Sequence, residues 1–229
     1  MIHAQTVLPE NPSEDTLRCV VAQMPRELFA PRAAFSSDMR LIGQFMDLRK
    51  RIFALGKGWK VWISGQSDLD QYDRPDTIYV VALKHATDTV VGGARLIRTD
   101  NVAGAAGHAM FSYMIRDACR GLLDGLPFDL CTDVPPVDSG VWELTRLVTD
   151  GTPGAGAAVL RAANAYLATQ TAEHCLFLGP VGFQKMARSM GFTPRTIGPI
   201  CGNRDGRFQA FACPVLYGDH HHKSRGRGT

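Results

Sequence analysis

The chain lacks both a long apolar run and a large excess of charge. No stretch approaches the roughly eighteen apolar residues that a membrane-spanning helix needs, and the N-terminus has no apolar segment typical of a signal peptide. Lys and Arg total 25 against 22 Asp and Glu, a formal charge of +3. This near balance argues against nucleic-acid binding as the main task. We therefore expect a cytoplasmic protein with no nucleic-acid partner and no membrane insertion.

Cysteine is present but is not arranged for metal binding or disulfide bonding. The 6 cysteines include no Cys-x-x-Cys pair, and no histidine stands near them at ligand spacing. In a chain of 229 residues, this scatter favours small buried side chains in a reducing compartment. We expect no bound metal.

Composition divides the chain into three parts. Residues 1–37 are polar and rich in proline, which predicts a flexible N-terminal extension. Residues 38–216 contain the periodic apolar segments and are predicted to form a single catalytic domain. Residues 217–229 are basic and lack apolar residues after Tyr217, which predicts a disordered tail.

Apolar periodicity predicts alternating helices and strands. A helix is expected from Asp38, with Ser37 or Asp38 as its N-cap. Further helices are predicted at 108–123, 155–172 and 181–190, and strands at 60–65, 77–85, 89–98, 141–149, 174–180 and 207–215. A hairpin turn joins the second and third strands. The order, with antiparallel strands first and a β-α-β-α-β pattern later, predicts an acetyltransferase-like (GNAT-like) α/β fold: a three-layer sandwich around a mixed, mostly antiparallel sheet.

Four charged residues stand where the periodicity favours apolar ones: Arg49, Arg95, Glu143 and Arg146. A lone buried charge is too costly to keep, so each needs a partner. The stretch "SDLDQYD", which precedes the second predicted strand, supplies carboxylates. Three positive groups (Arg49, Arg95 and Arg146) thus face three negative ones (Asp70, Asp73 and Glu143). This inventory suits a preorganised polar pocket, and a scatter of surface ion pairs is the alternative that composition leaves open.

The motifs that hold these charges resemble those of the acyl-homoserine-lactone synthases, the LuxI-type autoinducer synthases of bacterial quorum sensing. In order along the chain they read "LRKRIF", "GW", "SDLDQYD", "GGARLIRTD" and "VWELTR". The resemblance covers about residues 40–195 and includes "FQKMARSMGF". Asp68 stands where the family has Glu, and Thr145 where it has Ser.

The resemblance implies a reaction between S-adenosylmethionine and an acyl thioester carried by acyl-carrier protein or coenzyme A. The amine is acylated, and ring closure then releases methylthioadenosine. No cofactor would be bound permanently, and we expect a monomer or a weak dimer. Glu143 is the expected base, with Asp68 or Asp70 less favoured, and the catalytic set is Glu143, Asp70 and Arg146. The expected substrate-binding residues are Arg49, Phe53, Trp59, Asp68, Asp73, Arg95, Phe111, Thr145 and Phe177.

The acyl preference is suggested by Phe177 and its apolar strand. Some relatives carry a Thr near this place that recognises a 3-oxo group. The resemblance therefore implies that the site, lacking that hydroxyl, favours an unsubstituted or aryl-type chain.

Two other functions remain open at the level of sequence. The first is an acetyl-coenzyme-A-dependent N-acetyltransferase of the same fold, which would not need the set Arg49, Trp59, Asp70 and Asp73. The second is a ligand-binding regulator that keeps the fold without catalysis. Release of methylthioadenosine distinguishes both from a synthase.

Overall fold

The computed structural model describes residues 16–25, 36–56, 69–104, 110–203 and 206–218. The helices are α1 (Ser37–Arg49), α2 (Met114–Cys119), α3 (Ala155–Thr169) and α4 (Phe183–Ser189), and a π-helical segment (Lys50–Gly56) continues α1. The strands are β1 (Leu17–Gln23), β2 (Ile78–Lys84), β3 (Val90–Arg98), β4 (Val141–Thr149), β5 (His174–Pro180), β6 (Arg195–Asn203) and β7 (Gly206–Pro214).

These strands form one seven-stranded sheet in the order β1-β2-β3-β4-β5-β7-β6. Every neighbouring pair is antiparallel except β4 and β5, which are parallel and are joined through α3. The predicted α/β class with a mixed, mostly antiparallel sheet is therefore confirmed.

Helices cover both faces of the sheet, which makes three layers. Alternate residues of β2 point to opposite faces: Tyr79 and Val81 pack with α1, whereas Val80 and Ala82 pack with α3. The N-terminal residues of α2 pack near Ile97 on the α1 face, and Phe183 of α4 packs on the α3 face. Burial on both faces explains why β2 and β3 are almost entirely apolar and buried.

The parallel pair β4–β5 separates partway along its length. The two strands are in register only from Val141 opposite His174 to Leu144 opposite Phe177. Beyond that point β4 continues beside β3, and β5 continues beside β7. A wedge-shaped gap therefore opens in the middle of the sheet, immediately after Leu144 and Phe177.

A β-bulge lies in β4 at the start of this gap. Gly93 is opposite Val148, but Arg95 is opposite Thr145, so β4 holds one more residue than β3 between those pairs. Arg146, within the bulge, has a φ of 55°, in the left-handed region that non-glycine residues seldom adopt. Such backbone conformations persist where the surrounding contacts stabilise them. Here the left-handed backbone changes the direction in which the Arg146 side chain points.

The N-terminal prediction is wrong for one segment. Residues 17–23 were assigned to a flexible extension, but they form β1 and pair with all of β2 from Leu17 opposite Lys84 to Gln23 opposite Ile78. The apolar side chains of Val20 and Ala22 are buried against α1. At the other end, Tyr217 is exposed but donates a hydrogen bond from its hydroxyl to the carbonyl of Ala172, at 2.6 Å, so the tail predicted to begin at residue 217 is attached to the domain at that residue.

Other boundaries also differ from the sequence prediction. The N-cap of α1 is Ser36, whose hydroxyl accepts from the Met39 amide, and not Ser37 or Asp38. The helix predicted at 108–123 is shorter, because the segment before Met114 is extended and Phe111 forms a bridge with Ala103. Strand β6 was not predicted. The strand predicted at 60–65 lies outside the described residues.

We predict that Gly93→Ala destabilises the fold. A Cβ at Gly93 would lie 2.7 Å from two ring carbons of Phe45 and 2.8 Å from the carbonyl oxygen of Val80. Because the Val80 carbonyl belongs to the strand backbone, the clash can be removed only if the sheet shifts. We therefore expect a loss of about 1–3 kcal/mol in the free energy of unfolding. Urea denaturation measures it.

Gly43→Ala is the matched control. Gly43 lies in α1, and a Cβ there meets nothing within 4 Å. Since alanine is the better helix former, this variant should be as stable as the parent or more stable by about 0.5–1 kcal/mol. Equal urea midpoints for Gly93→Ala and the parent would contradict the packing described here.

Candidate functional site: a buried arginine–aspartate cluster beside the gap

Five charged side chains from four segments meet on the α1 face of the sheet. We call this group the charged cluster: Arg49 at the end of α1, Asp70 and Asp73 in the turn before β2, Arg95 in β3 and Arg146 in β4. Strand register places three of the neighbouring side chains in one row, because Arg95 is opposite both Tyr79 of β2 and Thr145 of β4.

Asp73 is the most enclosed carboxylate of the cluster, with a side chain that is 0% exposed. Arg49 binds it with two parallel hydrogen bonds, Nη1 to Oδ1 at 2.8 Å and Nη2 to Oδ2 at 3.0 Å. Arg95 Nη1 and the Tyr79 hydroxyl also donate to Oδ1, at 2.8 and 2.7 Å. Such a fork combined with further donors is the strongest arrangement for an Arg–carboxylate pair.

Asp70 links the other two arginines. Its Oδ1 accepts from Arg95 Nη1 at 2.5 Å, and its Oδ2 accepts from Arg146 Nη2 at 2.8 Å. Its own backbone amide donates to Asp73 Oδ2, at 2.9 Å, and its Oδ1 also accepts from the amide of Tyr72, which closes the turn. The turn and the cluster therefore stabilise each other.

The arginines hold the pKa values of both aspartates low. Burial alone would raise the pKa of Asp70, but the positive charges of Arg95, Arg146 and Arg49 outweigh it and hold the pKa far below the ordinary range. For Asp73, burial and the nearby Asp70 charge raise the pKa, and Arg95 and Arg49 lower it to a net depressed value. Both groups are ionised at every pH at which the protein would work.

Aromatic rings support the three guanidinium groups. The Cζ atom of Arg49 lies 5.8 Å from the ring centroid of Phe45, that of Arg95 lies 5.3 Å from Tyr72, and that of Arg146 lies 5.4 Å from Phe53. These are cation–π distances. Phe53, predicted to stack on a substrate, is buried beside Arg146 and so orients that arginine.

Among the described residues the cluster holds three positive and two negative charges. The prediction that Glu143 completes a balanced set is wrong, because its carboxylate forms no ion pair with these arginines and instead binds backbone amides. In the same part of the chain, Arg95 Nη2 is buried without a hydrogen-bond partner. The cluster thus has one unused buried donor.

Glu143 lies on the same face of the sheet and fixes the start of α2. Its Oε2 accepts from the amide of Met114 at 2.9 Å, and its Oε1 accepts from the amide of Ile115 at 2.8 Å. Burial raises the pKa of Glu143 to about 7, against the opposing effect of those two amides and of Arg95. The carboxyl group therefore changes its protonation state near neutral pH, unlike Asp70.

The remaining predicted site residues fall into three groups. Thr145 lies beside the cluster, where its hydroxyl accepts from Arg95 Nε at 3.1 Å. Phe111 contacts the edge of the Tyr72 ring at a centroid distance of 6.2 Å, and Phe177 lies on the far face of the sheet, stacked on Phe211. Trp59 and Asp68 lie outside the described residues.

Three residues of the site region were missed in the sequence. Tyr79 donates to Asp73, and Asp117 accepts from the Tyr72 hydroxyl at 3.0 Å and from the Ser112 amide at 2.8 Å. Arg74 donates to the carbonyls of Phe111, Asn101 and Ser112, which hold the segment before α2 in place. Only Arg74 could have been found from the sequence, because it is a charged residue next to Asp73. Tyr79 fits the apolar periodicity of its strand, and Asp117 fits a polar position of its helix.

The described part of the chain shows neither a metal site nor a membrane-spanning helix. No group of three or more His, Cys, Asp or Glu side chains there is arranged to hold a metal ion. Over the same residues, no helix is long and apolar enough to cross a membrane.

The fold and the site define an α/β protein of acyltransferase type whose distinguishing feature is a buried arginine–aspartate cluster at a gap in the sheet. Residues 36–189 match the family model described as "Autoinducer synthase". Because this match covers more than half of the chain, the chain belongs to the autoinducer synthase family. The resemblance inferred from the sequence motifs is confirmed.

The proteins of similar sequence are named acyl-homoserine-lactone synthases. An acyl-homoserine-lactone synthase of Acinetobacter nosocomialis is 28% identical over 187 residues, which cover 76% of this chain and 91% of the relative. One of Ralstonia solanacearum is 35% identical over 100 residues, 43% of this chain and 40% of the relative.

Solved structures share the fold. The acyl-homoserine-lactone synthase LasI superposes with a TM-score of 0.65 at 22% identity, over 88% of this chain and 91% of its own. The coenzyme-A-dependent synthase BjaI, solved with S-adenosylmethionine and isopentyl-coenzyme A, gives 0.62 at 19% identity, over 85% and 81%. A Lactobacillus plantarum chain assigned as an N-acetyltransferase gives 0.50 at 13%, over 87% and 99%. The acetyltransferase-like fold class is confirmed.

We predict that Asp73→Asn costs about 3–5 kcal/mol of stability near neutral pH, because it removes the fully buried carboxylate that Arg49 and Arg95 share. Asp88→Asn, at the exposed pair with Arg18, is the control and should cost no more than about 1 kcal/mol. Urea denaturation of the two variants gives the comparison.

The loss of stability caused by Asp73→Asn should depend on pH and should be smaller at low pH. Since the folded-state pKa of Asp73 is depressed, its stabilisation is present above the unfolded pKa of about 3.9 and is lost as pH falls through the lower folded value. The difference in the free energy of unfolding between the parent and Asp73→Asn should therefore become smaller below about pH 4. A constant difference down to pH 2 would show that the Asp73 charge is not the cause.

Proposed function

We propose that the chain is an acyl-homoserine-lactone synthase that transfers an acyl group from a thioester to the amine of S-adenosylmethionine and then closes the lactone. Membership of the autoinducer synthase family supports this reading. The single observation that carries it is the charged cluster, with the unused Nη2 donor of the buried Arg95. A general N-acetyltransferase would not require this set.

The cluster suits the carboxylate of S-adenosylmethionine. An anion at Arg95 and Arg146 would face two guanidinium groups and satisfy the free Arg95 donor, which lowers the cost of burying that donor. Arg146 is accessible, since its side chain is 16% exposed, whereas those of Arg49 and Arg95 are fully buried. Asp70 keeps Arg95 and Arg146 apart and oriented, and its negative charge also favours a nearby ammonium or sulfonium.

Glu143 is the better candidate for the base. A free α-amino group has a pKa of about 7.7–8, so a base of similar strength exchanges protons with it efficiently. The pKa of Glu143 is raised to about 7, whereas that of Asp70 is held far below its ordinary value. Each Glu143 oxygen has one lone pair beyond the amide contacts, which a bridging water can use. Asp70 is then a positioning residue.

The reaction has two bond-forming steps. The neutral amine attacks the thioester carbon, and the C–S bond breaks with its electron pair going to sulfur. The departing thiolate takes up the proton that the nitrogen loses, which leaves an amide and a free thiol. The carboxylate of the acylated product then attacks its own γ-carbon. The second C–S bond breaks, the sulfonium becomes the neutral thioether of methylthioadenosine, and the lactone ring closes. Holding the carboxylate at the arginines favours the bent conformer that the second step needs.

The acyl donor is a thioester of acyl-carrier protein or of coenzyme A. The wedge-shaped gap after Leu144 and Phe177 leaves unpaired strand edges that a pantetheine arm, common to both donors, can line with hydrogen bonds. We assign neither carrier, and the test below includes both.

The purified chain should release methylthioadenosine when S-adenosylmethionine and an acyl thioester are both present. Mass spectrometry should detect an N-acyl homoserine lactone in equal amount, with hexanoyl-coenzyme A and hexanoyl-carrier protein supplied in parallel. Free thiol without methylthioadenosine would identify an acetyltransferase-type enzyme instead. Binding of S-adenosylmethionine without any product would identify a regulator.

Asp70→Asn should lower the rate of methylthioadenosine release by about a hundredfold or more, because three arginines lose a shared partner and move out of position. The circular dichroism spectrum should remain that of a folded protein. Asp88→Asn, at the exposed pair, should keep the parent rate. Near-full turnover by Asp70→Asn would refute the role given to the cluster.

The pH dependence should report Glu143. The parent rate should rise with pH through about 7, as the Glu143 carboxyl ionises, and then level. Glu143→Gln should lose about 10²–10⁴ in rate and lose this limb, and Glu173→Gln, at an exposed position, should retain both rate and limb. A limb with an unchanged midpoint near pH 7 in Glu143→Gln, distinct from the ionisation of the substrate amine at about 7.7–8, would exclude Glu143 as the base.

A further inference from the structure

Asp117 is a buried carboxylate that the proposed mechanism does not use. It lies in α2, and the residue is 0% exposed. Its Oδ2 accepts hydrogen bonds from the Tyr72 hydroxyl at 3.0 Å and from the Ser112 amide at 2.8 Å. Its Oδ1 accepts from Arg120 Nη1 at 3.0 Å. All of these partners are donors, which is the environment of an ionised carboxylate, and both oxygens are fixed in position by them.

Tyr72 links this carboxylate to the charged cluster. Its ring lies beside Arg95, whose guanidinium Cζ atom is 5.3 Å from the ring centroid, a cation–π distance. The Tyr72 amide donates to Asp70 Oδ1 at 2.9 Å, and the Tyr72 carbonyl accepts from the Thr77 hydroxyl at 2.9 Å. The backbone of Tyr72 is thus held by the turn before β2, and the hydroxyl end of its side chain is held by Asp117. The ring therefore has a fixed position beside the Arg95 guanidinium.

The same carboxylate also holds the segment that leads into α2. Asp117 Oδ2 binds the amide of Ser112, just before the helix begins. The amides of Met114 and Ile115, at the start of the helix, donate to Glu143. The first turn of α2 therefore lies between two carboxylates. A displacement of Asp117 would be passed to the amides that orient Glu143.

We propose that Asp117 is a positioning residue for the synthase reaction, which holds the Tyr72 ring against Arg95 and the start of α2 against Glu143. Because Asp117 has no exposed surface, it acts through these neighbours and not on the substrate itself. The unused Nη2 donor of Arg95 is assigned above to the substrate carboxylate, so a misplaced Tyr72 ring weakens substrate binding. This inference rests on the proposed function and adds a residue to its site.

The negative charge of Asp117 also acts on Glu143. Burial is the largest cause of the raised pKa of Glu143, and the Asp117 charge adds to it, whereas the two α2 amides and the charge of Arg95 lower it. Removing the Asp117 charge should therefore lower the pKa of Glu143. A residue that only stabilised the fold would not produce this change.

Other titratable side chains face Glu143 from the neighbouring segments. They are Tyr113 in α2, Tyr72 and Arg74 in the turn before β2, Cys131 in the segment before β4 and Cys175 in β5. Burial raises the pKa values of the tyrosines and cysteines in this set, so they are neutral near pH 7. Arg74 is positive and, like Arg95, favours the ionised form of Glu143. Asp117 supplies the opposing negative charge.

Asp117→Asn and Tyr72→Phe separate the contact from the charge. Asp117→Asn removes the charge at nearly constant volume, and Tyr72→Phe removes the hydroxyl that binds Asp117 but keeps the ring beside Arg95. Methylthioadenosine release gives kcat and the KM for S-adenosylmethionine on both sides of pH 7, with hexanoyl-coenzyme A and hexanoyl-carrier protein supplied in parallel. Asp124→Asn is the matched control, because Asp124 is an exposed acid shortly after the same helix.

Both variants should raise the KM for S-adenosylmethionine by about five- to tenfold, the scale of one buried hydrogen bond. Because the two changes break the same contact, the double variant should have the KM of Asp117→Asn and not the product of two separate effects. Asp117→Asn should also move the rising limb of the pH–rate profile to lower pH, whereas Tyr72→Phe should keep the parent midpoint. Asp124→Asn should match the parent in every measurement.

Two results would overturn the inference while leaving the synthase function intact. One is a parent-like KM in both variants. The other is a folded Asp117→Asn variant that loses stability but keeps the parent midpoint, which would show a structural role only. If Asp117→Asn does not fold, Tyr72→Phe decides, and a KM equal to that of the parent refutes the inference. A parent enzyme that releases no methylthioadenosine with any thioester would remove the proposed function, and the inference with it.

Discussion

The balance of charge in a water-poor site is the constraint on which the rest of the structure depends. Arg49 and Arg95 have no exposed side-chain surface, and neither does Asp73. None of these groups can be buried alone, since an unpaired interior charge costs several kcal/mol. Their mutual contacts therefore tie the end of α1 and the turn before β2 to strand β3. The cluster organises the fold as well as the site.

The irregular path of β4 places both halves of the site. The bulge at Arg146 turns one arginine toward Asp70, and the separation from β5 begins two residues earlier, after Leu144. A regular strand would continue the pairing and close the sheet. The left-handed backbone at Arg146 is a conformational cost of about 1–3 kcal/mol that the fork to Asp70 and the contact with Phe53 offset.

Sequence reasoning found the cluster because charge interrupts apolar periodicity at Arg49, Arg95 and Arg146. It failed where the partner of a charged side chain is the backbone. Glu143 accepts hydrogen bonds from backbone amides at the start of α2, and a list of side chains does not include these donors. Strand β1 was missed because its apolar run is short and lies among prolines, and its stability comes from pairing with β2, distant in sequence. Strand β6 was missed for a similar reason, since its residues are mostly exposed and include Gly198 and Pro199.

Asp70 and Glu143 are carboxylates on one face of this sheet, and their pKa values differ because their surroundings differ. Asp70 is surrounded by guanidinium groups, so its pKa is depressed and its charge is permanent. Glu143, one residue from the gap wall, is fully buried, and burial outweighs the two amides and Arg95, so its pKa rises to about 7. Environments that separate the pKa values of neighbouring acids assign them separate roles. A fixed anion then holds the arginines, and a titratable acid lies nearby to take a proton.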